Sequence, residues 1–339
     1  MKNRWIWTCT FVLGTIWGCQ QLMPSRALEG YSSMTPRDFP EMPFPEDNAP
    51  TRARIELGRM LFFDPILSRD TTISCGTCHL QSAGLADHER VSVGIEGRKG
   101  FRNVPTLTNV GYHPYFFKEG GSPTLEMQVL GPLENEDEMG FNAALLNDRL
   151  QGHPIYDPLA QEAYGRPIDI YVVTRAIAAF ERTMISGNSP YDQFQRGDSS
   201  ALTPAQIRGK QLFFSPEVGC TTCHSGFDFT NYAMENIGSH FPYEDLGRYR
   251  ISGDSSDIGK FKVPTLRNVA VTAPYFHDGG IPHLFDVLEI YNLGGVGHPN
   301  QHPAIHPLGL SDDELRDLEA FLEALTDEEF LNNPAFSAP

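Results

Sequence analysis

The chain has 339 residues, of which 40% are hydrophobic and 20% are charged, and this composition favours a packed globular protein over a disordered one. Its formal net charge of −17 argues against nucleic acids and anionic membrane surfaces as binding partners. The length is sufficient for two domains, and the 31 glycines and 26 prolines predict long loops.

The N-terminus has the pattern of an export signal. Lys2 and Arg4 precede an apolar stretch that ends at Gly18 and is too short to cross a bilayer. The residues before Cys19 resemble a lipoprotein signal, in which Cys19 would carry a lipid anchor, and plain cleavage of a signal comprising residues 1–27 is the alternative. Both interpretations predict a periplasmic protein, which the first would anchor to the membrane. No later segment is apolar for long enough to form a transmembrane helix.

The rest of the chain is predicted to be mainly α-helical, because apolar residues recur at helical spacing and no run of alternating strands stands out. One predicted helix, residues 53–63, leads to the first cysteine motif, and another, residues 169–185, joins the two halves of the chain. Capping patterns predict two further helices, one starting at Thr203 and one running from Ser311 to Leu325.

A candidate domain boundary lies between Ser186 and Ser200, where glycine, serine, asparagine and aspartate are abundant. We therefore expect a first domain over residues 45–190 and a second over residues 200–330. Each of the two would contain one copy of the motif described next.

Two copies of the pattern C-x-x-C-H carry the chemistry. The first comprises Cys75, Cys78 and His79, and the second comprises Cys220, Cys223 and His224. This spacing lets two thiols attach to one haem while the adjacent histidine ligates the iron. A zinc site would not need a histidine after each second cysteine, and a thioredoxin-like pair normally occurs once. The other two of the six cysteines lie in the predicted signal, so none is left for a disulfide. The sequence predicts two covalently bound haem c groups.

The surroundings of the two motifs are repeated as well. Leu61–Pro65 precedes the first motif as Leu212–Pro216 precedes the second. After the motifs, Val104–Val110 matches Val263–Val269, and the match continues without a gap for a further fifteen residues. This pattern predicts the internal duplication of a one-haem domain.

These motifs, together with the connection A-x-x-A-F-E-R-T-x-I-S-G-x-S-P-Y-D over residues 176–192, resemble the bacterial di-haem cytochrome c peroxidase superfamily and its MauG/MbnH-like branch. The resemblance extends from about residue 50 to about residue 325. It implies two mainly α-helical cytochrome-c-like domains, with the haems at their interface and a calcium ion between them. The first domain would react with peroxide, and the second would transfer electrons or store oxidising equivalents.

The resemblance also indicates the second axial ligand of the second haem. Relatives that take electrons from cytochrome c have a methionine ligand after a P-Y-x-H-D-G stretch, which here is Pro274–Gly279, and the position of that methionine falls on Tyr291. Met234 follows the second motif too closely to be a comfortable ligand. A phenolate is hard and anionic and stabilises oxidised iron, whereas a thioether stabilises Fe(II). Rival ligands are His277, His283 and His298. A buried core tyrosine with a satisfied hydroxyl is the structural alternative for Tyr291.

The first haem needs an open face and an acid–base group if it is to split peroxide. Some relatives block that face with a histidine, and the corresponding position here is Ile95, which cannot ligate iron. The resemblance maps the catalytic glutamate to Glu138 and a distal glutamine to Gln128. A carboxyl group at that place can take a proton from peroxide and return it to the leaving oxygen. The alternative is that Glu138 belongs to a solvated acidic loop.

Two further features follow from the resemblance. Asn103, Thr272 and Pro274 match the calcium-binding positions of the family, and their oxygen atoms suit that ion. Many relatives place a tryptophan between the haems, but all three tryptophans of this chain lie in the predicted signal. Phe117 or Phe116 is expected to fill the gap, and since phenylalanine is hard to oxidise, fast charge sharing between the haems is in question.

The sequence leads to one main functional hypothesis and two rivals. The main one is an exported di-haem peroxidase that uses hydrogen peroxide to oxidise a partner protein or another reductant. The first rival is a cytochrome c peroxidase that detoxifies peroxide with electrons from a c-type cytochrome or a cupredoxin. The second rival is a non-enzymatic periplasmic electron carrier. A methionine on the second haem would favour the first rival, and axial pairs on both haems would favour the second.

Overall fold

The computed structural model describes residues 35–339, so the predicted export signal and Cys19 lie outside the described residues. The described chain is mainly helical, as predicted, with long connecting loops. None of its helices combines the length and the apolar character needed to cross a membrane. The α-helices are α1 (Arg52–Phe63), α2 (Cys75–Cys78), α3 (Leu125–Gln128), α4 (Leu130–Glu134), α5 (Ala143–Leu150), α6 (Tyr156–Tyr164), α7 (Ile170–Glu181), α8 (Pro190–Gln195), α9 (Pro204–Phe213), α10 (Tyr249–Ser252), α11 (Leu284–Leu293), α12 (Asp312–Glu323) and α13 (Glu328–Leu331).

Short 3-10 helices and one small sheet complete the described secondary structure. Strands β1 (Met234–Glu235) and β2 (Phe261–Lys262) pair antiparallel, with Met234 opposite Lys262. The 3-10 helices are Glu46–Asn48, Pro65–Leu67, Gln81–Ala83, Ile95–Gly97, Val110–Tyr112, Cys220–Thr222, Ser255–Asp257, Val269–Val271 and Pro334–Phe336.

In the N-terminal half, α1 packs directly against α7. A Cβ atom on Gly58 would lie 1.9 Å from the backbone oxygen of Ala176, so only glycine permits this close crossing. Phe62 and Phe180 meet beside the crossing with ring centroids 5.4 Å apart, and both side chains are buried. The helix pair forms the centre of the larger apolar core and holds the chain that enters the first cysteine motif.

In the C-terminal half, α9 and α12 cross in the same way. A Cβ atom on Gly209 would lie 1.7 Å from the backbone oxygen of Asp317, and Phe213 and Phe321 lie beside the crossing with centroids 5.1 Å apart. The helices begin with capping boxes at Thr203 and Ser311, as the sequence indicates. The second apolar core surrounds this pair.

Two details differ from the sequence expectations. The helix predicted over residues 169–185 ends at Glu181, because the Thr183 backbone N–H and hydroxyl both bond to the Phe180 carbonyl and turn the chain. The C-terminal segment, expected within or beyond the second domain, returns to the first half. There the rings of Phe330 and Phe336 belong to the larger core.

The two halves meet through two asparagines at equivalent positions of the repeat. Asn109 and Asn268 both have left-handed backbone conformations, with φ of 56° and 61°, and each precedes a 3-10 helix. The Asn109 amide donates across the junction to the Asp228 carboxylate at 2.8 Å. The Asn268 amide donates to the Ser186 hydroxyl at 3.1 Å. These buried contacts bring the loops that follow the two cysteine motifs close together.

Candidate active site

Both cysteine motifs adopt a helical turn. In the first, Cys75–Cys78 forms α2 and the His79 N–H donates to the Cys75 carbonyl at 3.0 Å. In the second, the His224 N–H donates to the Cys220 carbonyl at 2.9 Å. A helical turn places residues i, i+3 and i+4 on one face, so each turn presents two thiols and one imidazole together. Within the described residues none of the four motif cysteines forms a disulfide, and all four are partly buried.

The two motif histidines are held in a single orientation. The Nδ1 atom of His79 bonds to the Leu85 carbonyl at 2.8 Å, and that of His224 bonds to the Phe229 carbonyl at 3.0 Å. A carbonyl partner fixes the N–H on Nδ1 and leaves Nε2 as a free donor atom for a metal. Burial lowers the pKa of both histidines, which favours the neutral form that ligates iron. Thiols, imidazole orientation and protonation all fit covalently bound haem.

A cavity of about 350 Å³ lies at the junction of the two halves, beside the second motif. Its walls are mainly apolar and include Cys220, Cys223 and His224. Several residues predicted for other roles also line it. These are Asn103, Gln128, Thr272, Pro274 and Tyr291.

Tyr291 lies in the last turn of α11 and lines this cavity. Within the described residues its hydroxyl makes no hydrogen bond, whereas the hydroxyl of Tyr275, another lining residue, donates to the Val269 carbonyl at 3.0 Å. A core tyrosine normally satisfies its hydroxyl, so the bonding of Tyr291 differs from that of a structural residue. Burial raises the pKa of Tyr291. Its role as an iron ligand stays a prediction.

The rival ligands are less well placed, with one exception. His283 is exposed at the start of α11, and His298 is buried outside the cavity lining with its Nδ1 atom engaged by Asn236 and Asn300. His277 does line the cavity, but its ring stacks on Phe261 with centroids 4.2 Å apart. None of the methionines in the described part of the chain lines the cavity.

Glu138 is held in a compact turn near the first motif. Its carboxylate accepts a hydrogen bond of 2.8 Å from the Asn135 amide, and its carbonyl accepts one of 2.9 Å from the Ile95 N–H. Burial raises the pKa of Glu138. Burial is the main cause that raises the thiol pKa of Cys75 and Cys78, and the negative charge of Glu138 adds to it, as expected for a carboxylate near the first motif.

The acidic neighbours of Glu138 are exposed to solvent. Glu136 is exposed and bonds to Arg69 at 2.9 Å and to Arg98 at 3.3 Å. Glu134 and Asp137 are exposed as well. Glu138 is therefore the one carboxyl of this loop that is half-buried and free of a cationic partner, and its assignment as the catalytic acid–base stays a prediction.

Gln128 ends α3 and lines the cavity, as do Phe117 and Lys118. Phe117 has a left-handed backbone, with φ of 65°, and its ring packs so closely on Gly131 that a Cβ atom there would lie 2.4 Å from it. Phe116 is buried in the core of the N-terminal half. Phe116 and Phe117 both line the cavity, and the placing of either ring between the haems stays a prediction.

Each of the three predicted calcium-binding residues has an oxygen atom that accepts no hydrogen bond within the described residues. Among the described residues, no hydrogen bond uses the side-chain oxygen of Asn103 or the backbone carbonyls of Thr272 and Pro274. No cluster of three or more histidine, cysteine or acidic side chains suited to a metal occurs in the same part of the chain. Carbonyl oxygens suit Ca²⁺, so these residues fit the ion, and the site stays a prediction.

A buried polar cluster at the junction was not predicted. Asp228 accepts hydrogen bonds from Asn109, from the Thr265 hydroxyl at 3.0 Å and from the Tyr232 hydroxyl at 3.0 Å. Burial raises the pKa of Asp228 to about 6. In the structure Asp228 occupies the place of Gly84 in the first half, because the Thr265 hydroxyl donates to the Asp228 carbonyl as the Thr106 hydroxyl donates to the Gly84 carbonyl.

Comparisons with known proteins give one consistent result. Residues 52–200 match a family model described as di-haem cytochrome c peroxidase. The chain is 38% identical over 291 residues to the methylamine utilization protein MauG of Methylorubrum extorquens, covering 85% of this chain and 82% of that protein. It is 34% identical to the cytochrome c551 peroxidase of Pseudomonas aeruginosa, covering 80% and 78% of the two chains.

The fold is similar to solved structures as well. A MauG-like protein associated with microbial copper homeostasis is 33% identical, with a TM-score of 0.84, and the match covers 90% of this chain and 98% of that one. The di-haem peroxidase BthA of Burkholderia thailandensis shares the fold at 24% identity, with a TM-score of 0.73 over 87% and 93% of the two chains.

Proposed function

The chain belongs to the di-haem cytochrome c peroxidase family, as its motifs predicted, and we propose that it uses hydrogen peroxide to oxidise a partner protein. Membership makes it an oxidoreductase that acts on peroxide and implies two c-type haems. The family includes both MauG and cytochrome c peroxidases, so the finer function depends on the residues around each haem.

The observation that carries the proposal is the cavity beside His224. It is lined by a tyrosine, Tyr291, whose hydroxyl has no hydrogen-bond partner in the described structure, and by no methionine of that part of the chain. An anionic oxygen ligand lowers the reduction potential of a haem and favours its oxidised states. Such a haem accepts electrons poorly from a cytochrome, and it suits the storage of oxidising power for a slower reaction with a protein.

We assign the first haem to Cys75, Cys78 and His79, and the second to Cys220, Cys223 and His224. The haems, when bound, would supply the iron that binds peroxide and the capacity to hold oxidising equivalents. Each histidine is oriented by its carbonyl partner, so that Nε2 points away from the backbone bond. We propose that this repeated arrangement arose by duplication of a one-haem unit.

Glu138 would assist on the open side of the first haem, and the family resemblance assigns Gln128 to the same side. Gln128 lines the junction cavity, whose lining includes neither Glu138 nor the first motif. The Glu138 carboxylate would take the proton from the proximal peroxide oxygen and return it to the leaving oxygen. Asn135 holds that carboxylate by a hydrogen bond of 2.8 Å to Oε1, which leaves Oε2 for the proton. The Gln128 amide makes no hydrogen bond within the described residues and is available to orient peroxide. Ile95 is buried, and its hydrocarbon side chain has no atom that could ligate the iron.

The partner, the location and the calcium ion complete the proposal. The net charge of −17 favours a basic partner surface over an acidic one. The N-terminal signal supports export to the periplasm, with a lipid on Cys19 as one route to the membrane. Asn103, Thr272 and Pro274 would hold calcium between the halves, since their oxygens lack other partners.

Replacement of the axial residue tests the proposal. We expect Tyr291→Phe to change the ferric EPR signal of one haem. We expect Tyr291→Met to raise the reduction potential of the same haem and to create turnover with reduced cytochrome c. Tyr275→Phe is the matched control, because Tyr275 lines the same cavity but donates to a backbone carbonyl. If Tyr291→Phe leaves both ferric signals unchanged while the wild type turns over cytochrome c, the protein is a detoxifying peroxidase and the proposal is wrong.

A further inference from the structure

Tyr232 lies at the junction of the two halves and contacts residues of both. Its neighbour Asn231 donates a backbone hydrogen bond of 2.8 Å to the carbonyl of Cys223, in the second cysteine motif. Its ring packs on His113 of the other half with centroids 5.1 Å apart, and its carbonyl accepts a hydrogen bond from the Tyr115 hydroxyl. His113 lines the central cavity. The phenol therefore lies between the second motif and the loop of the first half that borders the cavity.

The hydroxyl of Tyr232 is bonded to a carboxylate that no water reaches. It donates to Oδ2 of Asp228 at 3.0 Å, and Asp228 is 1% exposed. Asn109 and Thr265 donate to the other carboxylate oxygen, Oδ1, and keep Oδ2 directed at the phenol. Because burial raises the pKa of Asp228 to about 6, this carboxylate accepts a proton more readily than a solvated one.

The imidazole of His113 completes the surroundings of Oδ2. Lys262 bonds to Nδ1 of His113 at 3.0 Å, and since an ammonium group can only donate, the ring hydrogen lies on Nε2. Nε2 is buried without a hydrogen-bond partner in the described structure, 3.8 Å from Oδ2 of Asp228. The three groups form a compact phenol–carboxylate–imidazole set around a buried carboxylate.

Oxidation of a tyrosine requires a base for its proton, and this arrangement supplies one. The described chain contains no tryptophan, and Phe117 cannot be oxidised under mild conditions, so tyrosine is the most easily oxidised aromatic side chain near the cavity. We propose that Tyr232 is redox-active and holds one oxidising equivalent drawn from the haem pair, with Asp228 as the base. This inference rests on the proposed function, since the peroxide-oxidised haem pair is the oxidant.

The step balances in electrons and protons. One electron leaves the Tyr232 phenol for the oxidised haem pair, which is reduced by one equivalent. The phenolic O–H bond breaks, and an O–H bond forms on Oδ2 of Asp228. When the electron donor re-reduces the tyrosyl radical, the proton returns from Asp228 to the phenolate oxygen.

Rapid-freeze EPR on the di-ferric holoprotein after one equivalent of hydrogen peroxide tests the inference. We expect a tyrosyl radical signal that narrows when the tyrosines are ring-deuterated, and that is lost in Tyr232→Phe. Tyr156→Phe is the matched control. The Tyr156 hydroxyl also donates to a carboxylate, that of the partly buried Asp64, but Tyr156 lies in the core of the N-terminal half. This control should retain the signal.

The other outcomes each decide a separate point. Haem content and the ferric spectrum show whether Tyr232→Phe is folded, and loss of one hydroxyl should leave both unchanged. If peroxide removes the ferric signals but no tyrosyl radical forms, or if the radical survives in Tyr232→Phe, or if it also disappears in Tyr156→Phe, this inference alone is wrong. If peroxide leaves the ferric signals intact, the proposed function is wrong and the inference falls with it.

Discussion

Replacement of Glu138 by glutamine isolates the acid–base step of the proposed peroxide reaction. Glutamine has the same shape, and its Oε1 atom can still accept the hydrogen bond from Asn135, so the turn that also binds the Ile95 N–H should be retained. What disappears is the group that accepts and returns a proton. Loss of a positioned acid–base catalyst lowers rates by roughly 10²–10⁴-fold, or ~3–5 kcal/mol in the barrier.

The pH dependence gives this prediction a second readout. The ionised form of Glu138 is the base, and burial raises its pKa, so the rate of peroxide reaction in the wild type should rise as pH rises through that raised pKa. The rise should be absent in Glu138→Gln. Stopped-flow absorption of the di-ferric protein, mixed with peroxide across a pH series, measures both effects.

Glu136→Gln is the control for this experiment. Glu136 lies on the same loop, but its exposed carboxylate pairs with Arg69 and Arg98 and should not take part in proton transfer. An unchanged rate and pH profile in Glu138→Gln, or an equal loss in Glu136→Gln, would refute the assignment and return Glu138 to the class of solvated loop carboxylates.

Three further changes test the packing, the buried charges and the charge transfer. Gly209→Ala should lower the free energy of unfolding by about 1–3 kcal/mol or prevent folding, because its Cβ would overlap the Asp317 backbone, and denaturant unfolding measures this loss. Glu126→Gln should cost ~3–5 kcal/mol by leaving buried Arg182 without its carboxylate. Burial raises the pKa of Glu126, but the hydrogen bonds and charge of Arg182 outweigh this effect, so that the pKa in the folded state is lowered. In the wild type the stabilisation is therefore fully present above the unfolded-state pKa, and it is lost as pH falls through the lower folded-state pKa. Phe117→Trp should accelerate electron exchange between the haems, measured by flash photolysis of the mixed-valence state, and an unchanged rate would show that exchange does not pass through this position.

The features set by local sequence were predictable. The two C-x-x-C-H motifs, the helices that lead to them and the capping boxes at Thr203 and Ser311 depend on residues a few positions apart, and the structure has these helices within a few residues of the expected bounds. The choice of Glu138 among four neighbouring carboxyls was different. The sequence reached it through the family resemblance, and burial and pairing in the structure supply the physical distinction.

The features set by contacts between distant residues were missed. Tyr232 and Asp228 are close in sequence, but their bond requires a left-handed backbone at Tyr232, and the carboxylate is fixed by Asn109 from the other half. The return of Phe330 and Phe336 to the first core is also invisible in the sequence, because short apolar segments fit either core. Hydrophobic patterns indicate that such residues are buried and do not indicate where.

The central claim is that this protein stores oxidising equivalents from peroxide without prior reduction. One equivalent of hydrogen peroxide should be added to the as-isolated di-ferric protein, and the optical and EPR spectra should be recorded. Both ferric signals should disappear, and a long-lived oxidised state should form. If peroxide instead has no effect until one haem is reduced, and turnover then depends on added cytochrome c, the protein does not store oxidising equivalents in this way.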